Sequence, residues 1–170
     1  LSLYGSIDTP TSSTIESAIT GFVLETPAKP GAKVAKGNTL IILDDRETAL
    51  ELKQAQADEA EVKALIISED NRHNANVESL KHEQKLLELD EVSVSREKRL
   101  ADSKVGSEAR LDDARQAEAR QSLAVTSRQL SVDDHDARKQ QLQARLLKSE
   151  ARRERAELDL ERTKVLAPYD

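Results

Sequence analysis

Three histidines, His73, His82 and His135, and two carboxylate doublets, Asp112-Asp113 and Asp133-Asp134, are the side chains here best suited to metal binding or acid–base work. A metal site built on one helix needs ligands a turn apart, at i and i+3 or i+4. None of the three histidines stands at that distance from another, and His73 falls on an apolar seven-residue register. Neighbouring carboxylates on a helix point in different directions, and each doublet has Lys or Arg nearby. No G-x-S-x-G elbow, phosphate loop or G-x-G-x-x-G turn occurs. The sequence therefore predicts no catalytic residue, no metal ligand and no bound cofactor, and a protein that is not an enzyme.

A different chemistry is available around the sole glycine between Gly37 and the end of the chain, Gly106. Arg96, Leu100 and Ser107 cluster in sequence about that point. An exposed leucine beside an arginine that can make forked hydrogen bonds suits recognition of another protein's helical end.

The elements that must position these residues follow from composition. All glycines but Gly106, and three of the four prolines, lie in residues 1 to 45. With one Phe, two Tyr, no Trp and no Met, a thick globular core is not expected, and 34% charged residues fit long solvated helices. The net charge of −6, with both signs interspersed, offers no basic stripe for nucleic acid. No apolar run is long enough to span a bilayer, for which about 18 residues are needed. The absence of Cys rules out disulfides and thiolate metal sites without fixing the compartment.

Residues 1 to 13 read as an extended lead-in. Short strands are predicted at Ile15, Gly21 to Glu25, Lys33 to Val34 and Thr39 to Leu43, separated by turns at Pro30-Gly31 and Gly37-Asn38. From Arg46 the period changes. Leu52, Ile66, His73, Leu80, Leu87, Val94 and Ala101 share one heptad register, interrupted by Glu59. Beyond Gly106 two registers run in parallel. Leu123, Leu130, Ala137, Ala144, Ala151 and Leu158 form the first, expected to meet the antiparallel helix of the same chain. Val125, Val132, Leu146 and Leu160 form the second, with Lys139 and Arg153 between them, and are the expected packing surface for a neighbouring protomer.

A turn over Lys104 to Ser107 joins the two arms: Gly106 takes the left-handed conformation, Ser107 caps the next helix, and Glu108 complements its positive end. Each arm would reach roughly 80 to 85 Å at 1.5 Å per residue. The predicted fold is α+β, a two-helix coiled-coil hairpin over residues 46–163, with its tip at 104–107, inserted in a small β domain made of residues 1–45 and 164–170.

These residues resemble a known family, the periplasmic adaptors or membrane fusion proteins (HlyD-like) of tripartite efflux pumps and type I secretion systems. Gly21-Phe22-Val23, Pro30-Gly31, Val34, Lys36-Gly37 and Leu40 to Asp44 are similar to the first half of the family's split lipoyl-like domain. Thr163 to Asp170 is similar to the T-x-I-x-A-P-x-D segment that opens the second half. Arg96, Leu100 and Ser107 match the spacing of the family's R-x-x-x-L-x-x-x-x-x-x-S tip motif. The resemblance implies docking of the tip on a TolC-like outer-membrane channel, an inner-membrane transporter as second partner, and a homo-oligomer, six in the best-known assemblies. It also implies a periplasmic location, with attachment to the inner membrane through a segment outside this chain. Asp44-Asp45-Arg46 lies where the chain enters its helix, and Lys33 and Lys36 read as solvated turn residues, so no lipoyl or biotinyl group is expected. The rest of the second lipoyl half, the β-barrel and the membrane-proximal domain of the family are expected beyond this sequence. The alternative is a structural coiled-coil scaffold with no channel partner.

Overall fold

The computed structural model describes residues 12–169. All but the last two residues of the expected lead-in therefore lie outside the described part, as does Asp170. Six elements follow one another: β1 (Val23–Glu25), β2 (Thr39–Leu43), α1 (Arg46–Asp102), α2 (Glu108–Asp133), α3 (His135–Glu161) and β3 (Lys164–Leu166). The architecture is α+β, with a long helical hairpin between the second and third strands of an antiparallel sheet. The described chain forms two compact units, residues 12–56 with 151–169, and residues 57–150. Among the described residues no helix is long and apolar enough to cross a membrane.

In the first unit two tight turns deliver the chain to the central strand. The Ala32 N–H donates to the Lys29 carbonyl at 3.0 Å, and Asn38 N–H donates to the Ala35 carbonyl at 3.0 Å. The third residue of each turn, Gly31 or Gly37, has φ of 81° or 83°. This is the type II geometry, which favours glycine because a Cβ there is strained. The sheet order is β1-β2-β3, both pairs antiparallel, with Ile41 opposite Val165 and Thr39 opposite Leu166. Leu43, Thr163, Val165 and Ala167 are buried along the β2–β3 pair. The strands expected at Ile15 and at Lys33 to Val34 do not form, and the one expected over Gly21 to Glu25 shortens to β1. Lys33 and Val34 occupy the span between the two turns, too short to pair, and Ile15 stands exposed in a Ser/Thr-rich stretch.

The first turn of α1 is fastened by Asp44. Its carboxylate accepts the Arg46 backbone N–H at 3.1 Å and grips the Arg46 side chain through Nε at 2.9 Å and Nη2 at 2.6 Å. Those hydrogen bonds hold the Asp44 carboxyl below its ordinary range.

In the second unit burial follows a strict alternation of three- and four-residue steps. On α1 the covered positions run Glu59, Val62, Ile66, Glu69, His73, Asn76, Leu80, Glu83, Leu87, Asp90, Val94, Glu97 and Ala101. The returning arm answers with Leu111, Ala114, Glu118, Gln121, Val125, Arg128, Val132, His135, Lys139, Leu142, Leu146 and Ser149. This 3.5-residue period is a two-helix coiled-coil seam. About half of its positions are polar, so apolar residues such as Val62 and Leu80, 2% and 8% exposed, carry most of the hydrophobic stabilisation, about 1.5–3 kcal/mol each.

The returning arm, expected as one helix, is interrupted at Asp134, whose N–H still donates to the Leu130 carbonyl at 3.1 Å. Neither Pro nor Gly is present there. The three-and-four spacing nevertheless continues unbroken through Arg128, Val132, His135 and Lys139.

Val125, Val132 and Leu146, expected to pack against a neighbouring protomer, are half-buried on this seam instead, and Leu160 is half-buried in the first unit. Leu123 and Leu130, expected to face the antiparallel helix, are 72% and 63% exposed. The two registers are exchanged, and charge explains why. The seam of α1 carries Glu69, Glu83 and, beside it, Asp70. Only the Val125 register brings Arg128, His135 and Lys139 against them. The leucine register would bury those carboxylates without partners, which costs more than the leucines return.

Candidate functional site

The candidate site is the bend between α1 and α2. Arg96 and Leu100 stand one turn apart on the last turns of α1, so their side chains share a face. Arg96 is exposed, and among the described residues its guanidinium has no hydrogen bond or ion pair. Leu100 is 38% exposed.

The helix end is closed by its own backbone. The Lys104 N–H donates to the Ala101 carbonyl at 2.9 Å and the Val105 N–H to the Leu100 carbonyl at 3.1 Å. That pair of bonds is the Schellman arrangement, which requires a left-handed residue just past the helix. Lys104 fills it, with φ of 59°, rather than Gly106 as the sequence suggested. The helix runs on to Asp102, and the left-handed position falls two residues past its end. Gly106 is needed for space. A Cβ there would stand 2.9 Å from the Ala101 nitrogen and 3.0 Å from the Leu100 carbonyl carbon. The Gly106 N–H also donates to the Leu100 carbonyl, at 2.9 Å.

Ser107 occupies the N-cap of α2 with extended backbone, φ −98° and ψ 132°, but its hydroxyl makes no capping hydrogen bond. Its carbonyl accepts the Arg110 N–H at 3.1 Å. The expected side-chain cap is thus absent and the hydroxyl faces solvent. Sequence reasoning passed over Val105, which is 80% exposed between Leu100 and Ser107. An aliphatic residue inside an otherwise polar turn, between Lys104 and Gly106, is the signal that could have found it.

The histidines lie elsewhere. His82 is exposed, while His73 and His135 meet across the seam although 62 residues apart in sequence. Among the described residues no group of three or more ligating side chains could hold a metal ion. Asp112 pairs with Arg115 at 3.6 Å and Asp134 with Arg138 at 3.1 Å. Asp133 accepts from Gln129 at 2.7 Å. The doublets are therefore solvated helix-surface charges.

What this arrangement offers is recognition: an uncommitted guanidinium, two exposed aliphatic side chains and a free hydroxyl on a bend whose backbone is rigidly bonded.

No family model and no curated protein matches this sequence. In three dimensions the chain is similar to the crystal structure of MacA from Actinobacillus actinomycetemcomitans, with 18% identity and a TM-score of 0.59, over 93% of this chain and 41% of that one. The periplasmic adaptor protein EmrA aligns over 93% of this chain and 64% of its own length, with 14% identity and a TM-score of 0.45. The fold of this chain is that of MacA. The chain spans less than half of MacA's length.

Proposed function

We propose that this chain is the hairpin-bearing part of a periplasmic adaptor that links an inner-membrane transporter to a TolC-like outer-membrane channel in efflux or type I secretion. Its role is to join partners, with no catalytic step and no cofactor. The observation that carries this reading is the bend itself. Arg96 is left without an internal partner one turn from half-exposed Leu100, and the Ser107 hydroxyl is uncommitted although it stands at a cap position. A monomer gains nothing from leaving these groups unused, whereas a partner's helical end can use all three. The likeness of fold to MacA supports the same reading. In it the three-stranded sheet with its turns is part of a lipoyl-like domain, and the exposed leucine register of the returning arm, Leu123 and Leu130, faces other protomers of a homo-oligomer. Transporter contacts belong to parts of an adaptor outside this sequence.

The test is binding of a purified TolC-like channel to the chain by biolayer interferometry. Arg96→Ala and Leu100→Ala are each expected to weaken binding by tenfold or more, about the effect of losing a central interface anchor. The stability of Arg96→Ala should match wild type to within about 0.5 kcal/mol, since the side chain is exposed and makes no hydrogen bond or ion pair among the described residues. Undiminished binding by both variants would overturn the reading.

A further inference from the structure

Midway along the seam the rings of His73, on α1, and His135, the first residue of α3, stack with centroids 3.9 Å apart and planes inclined by 25°. Their surroundings are unequal. His135 Nδ1 lies 3.3 Å from Glu69 Oε1, and its Nε2 lies 3.6 Å from Asp70 Oδ1. An imidazole donates from both nitrogens only when protonated, so both faces of His135 suit one added proton. His73 Nδ1 is buried with no hydrogen-bond partner. A proton placed there finds no acceptor.

The carboxylates of the seam beside the stack are already paired with cations. From α1 come Glu69, Asp70 and Arg72, with Arg72 bonded to Glu69. From α3 comes Lys139, 2.8 Å from Asp70. That bond keeps the Asp70 carboxyl ionised, below its ordinary range. Next along the seam, Arg128 of α2 is occupied by Asn76 at 3.1 Å and Glu83 at 3.3 Å. Asp134 is engaged by Arg138 at 3.1 Å, and Asp133 and Asp136 are exposed. Glu69 and Asp70 are thus engaged by Arg72 and Lys139, and no carboxylate stands within hydrogen-bonding distance of His73 Nδ1.

We propose that the His73–His135 stack is a proton-sensitive joint of the hairpin. With one proton or none on the pair the rings stay stacked and the seam is closed. When both are charged, two cations face each other at stacking distance in a part-buried site, and the seam opens there. The helical break at Asp134, immediately before His135, is where the returning arm yields. Charge repulsion disfavours only the doubly protonated pair, and only in the closed seam, so once both imidazoles of the separated arms are charged the closed seam holds fewer protons and its stability falls as the pH is lowered further.

The experiment is amide exchange and thermal melting of the chain between pH 7.5 and 5.5, for wild type, His73→Phe and His82→Gln. Phe keeps a stacked ring but cannot charge, and His82 is exposed and serves as control. In wild type and His82→Gln, protection of amides 131–139 is expected to fall about tenfold or more on acidification, with a matching loss of melting temperature. In His73→Phe both should change much less. Superimposable pH profiles for wild type and His73→Phe would overturn the proposal. Should Phe fail to fold, an NMR titration of the wild-type imidazoles decides. Opening must coincide with the second ring's protonation; both rings charging with amides 131–139 still protected would overturn it equally.

Discussion

At the bend, the Arg96 guanidinium and the Ser107 hydroxyl are spent on nothing inside the chain; some twenty-five residues back along α1, Glu69, Asp70 and Arg72 are each engaged with a neighbour, as are His135 and Lys139 facing them from α3. Both regions belong to one compact unit, and both are rich in charge. In the seam, polar side chains decide which faces of the helices meet. At the bend the backbone alone decides the geometry, through the Leu100 and Ala101 carbonyls. The side chains there are thereby released for contacts with something else.

The contrast can be broken from either side. Leu80→Ala, in the seam, removes a side chain that is 8% exposed and should cost about 2–4 kcal/mol of unfolding free energy in urea titration. A smaller loss would mean that the ionic layers, rather than the few apolar ones, hold the arms together. At the bend, Gly106→Ala forces a methyl against backbone atoms of Leu100 and Ala101 at 2.9–3.0 Å. About 1–3 kcal/mol should be lost by the same measurement, together with affinity for any partner of the tip. The smallest effect has the opposite sign: Lys104→Gly relieves a left-handed, non-glycine residue and should stabilise by about 1 kcal/mol or less, read as a higher melting temperature. If it destabilises, the Lys104 side chain has a role that its exposure does not suggest.

Much of the fold was legible in the sequence for reasons that are local. Loss of Gly and Pro together with the onset of a seven-residue period identifies the helical arms, and Pro30-Gly31 and Gly37-Asn38 identify two turns, which the structure makes type II with positive φ at Gly31 and Gly37. What was not legible depends on the partner helix. The Leu123 and Val125 registers have the same period, and the more apolar one looks like the better seam. The choice is settled by Glu69, Asp70 and Glu83 on the opposite arm, which a single-helix pattern cannot weigh. Reading the cations Arg128 and Lys139, with His135, against those carboxylates would have found it. The stacked histidines were missed for the same reason, since spacing rules search within one helix and the two rings meet across two. At the bend the roles of Lys104 and Gly106 depended on where α1 stops, a matter of two residues. The break at Asp134 has no breaker residue to announce it.

The unbroken alternation of threes and fours through that break has a consequence for how such arms can change length. Deleting or inserting one residue in either arm would rotate everything beyond it by about 100° and carry Arg128, His135 and Lys139 away from their carboxylates. Only blocks of seven, matched on both arms, preserve the phase. Growth or shortening of this hairpin over evolutionary time is therefore quantised.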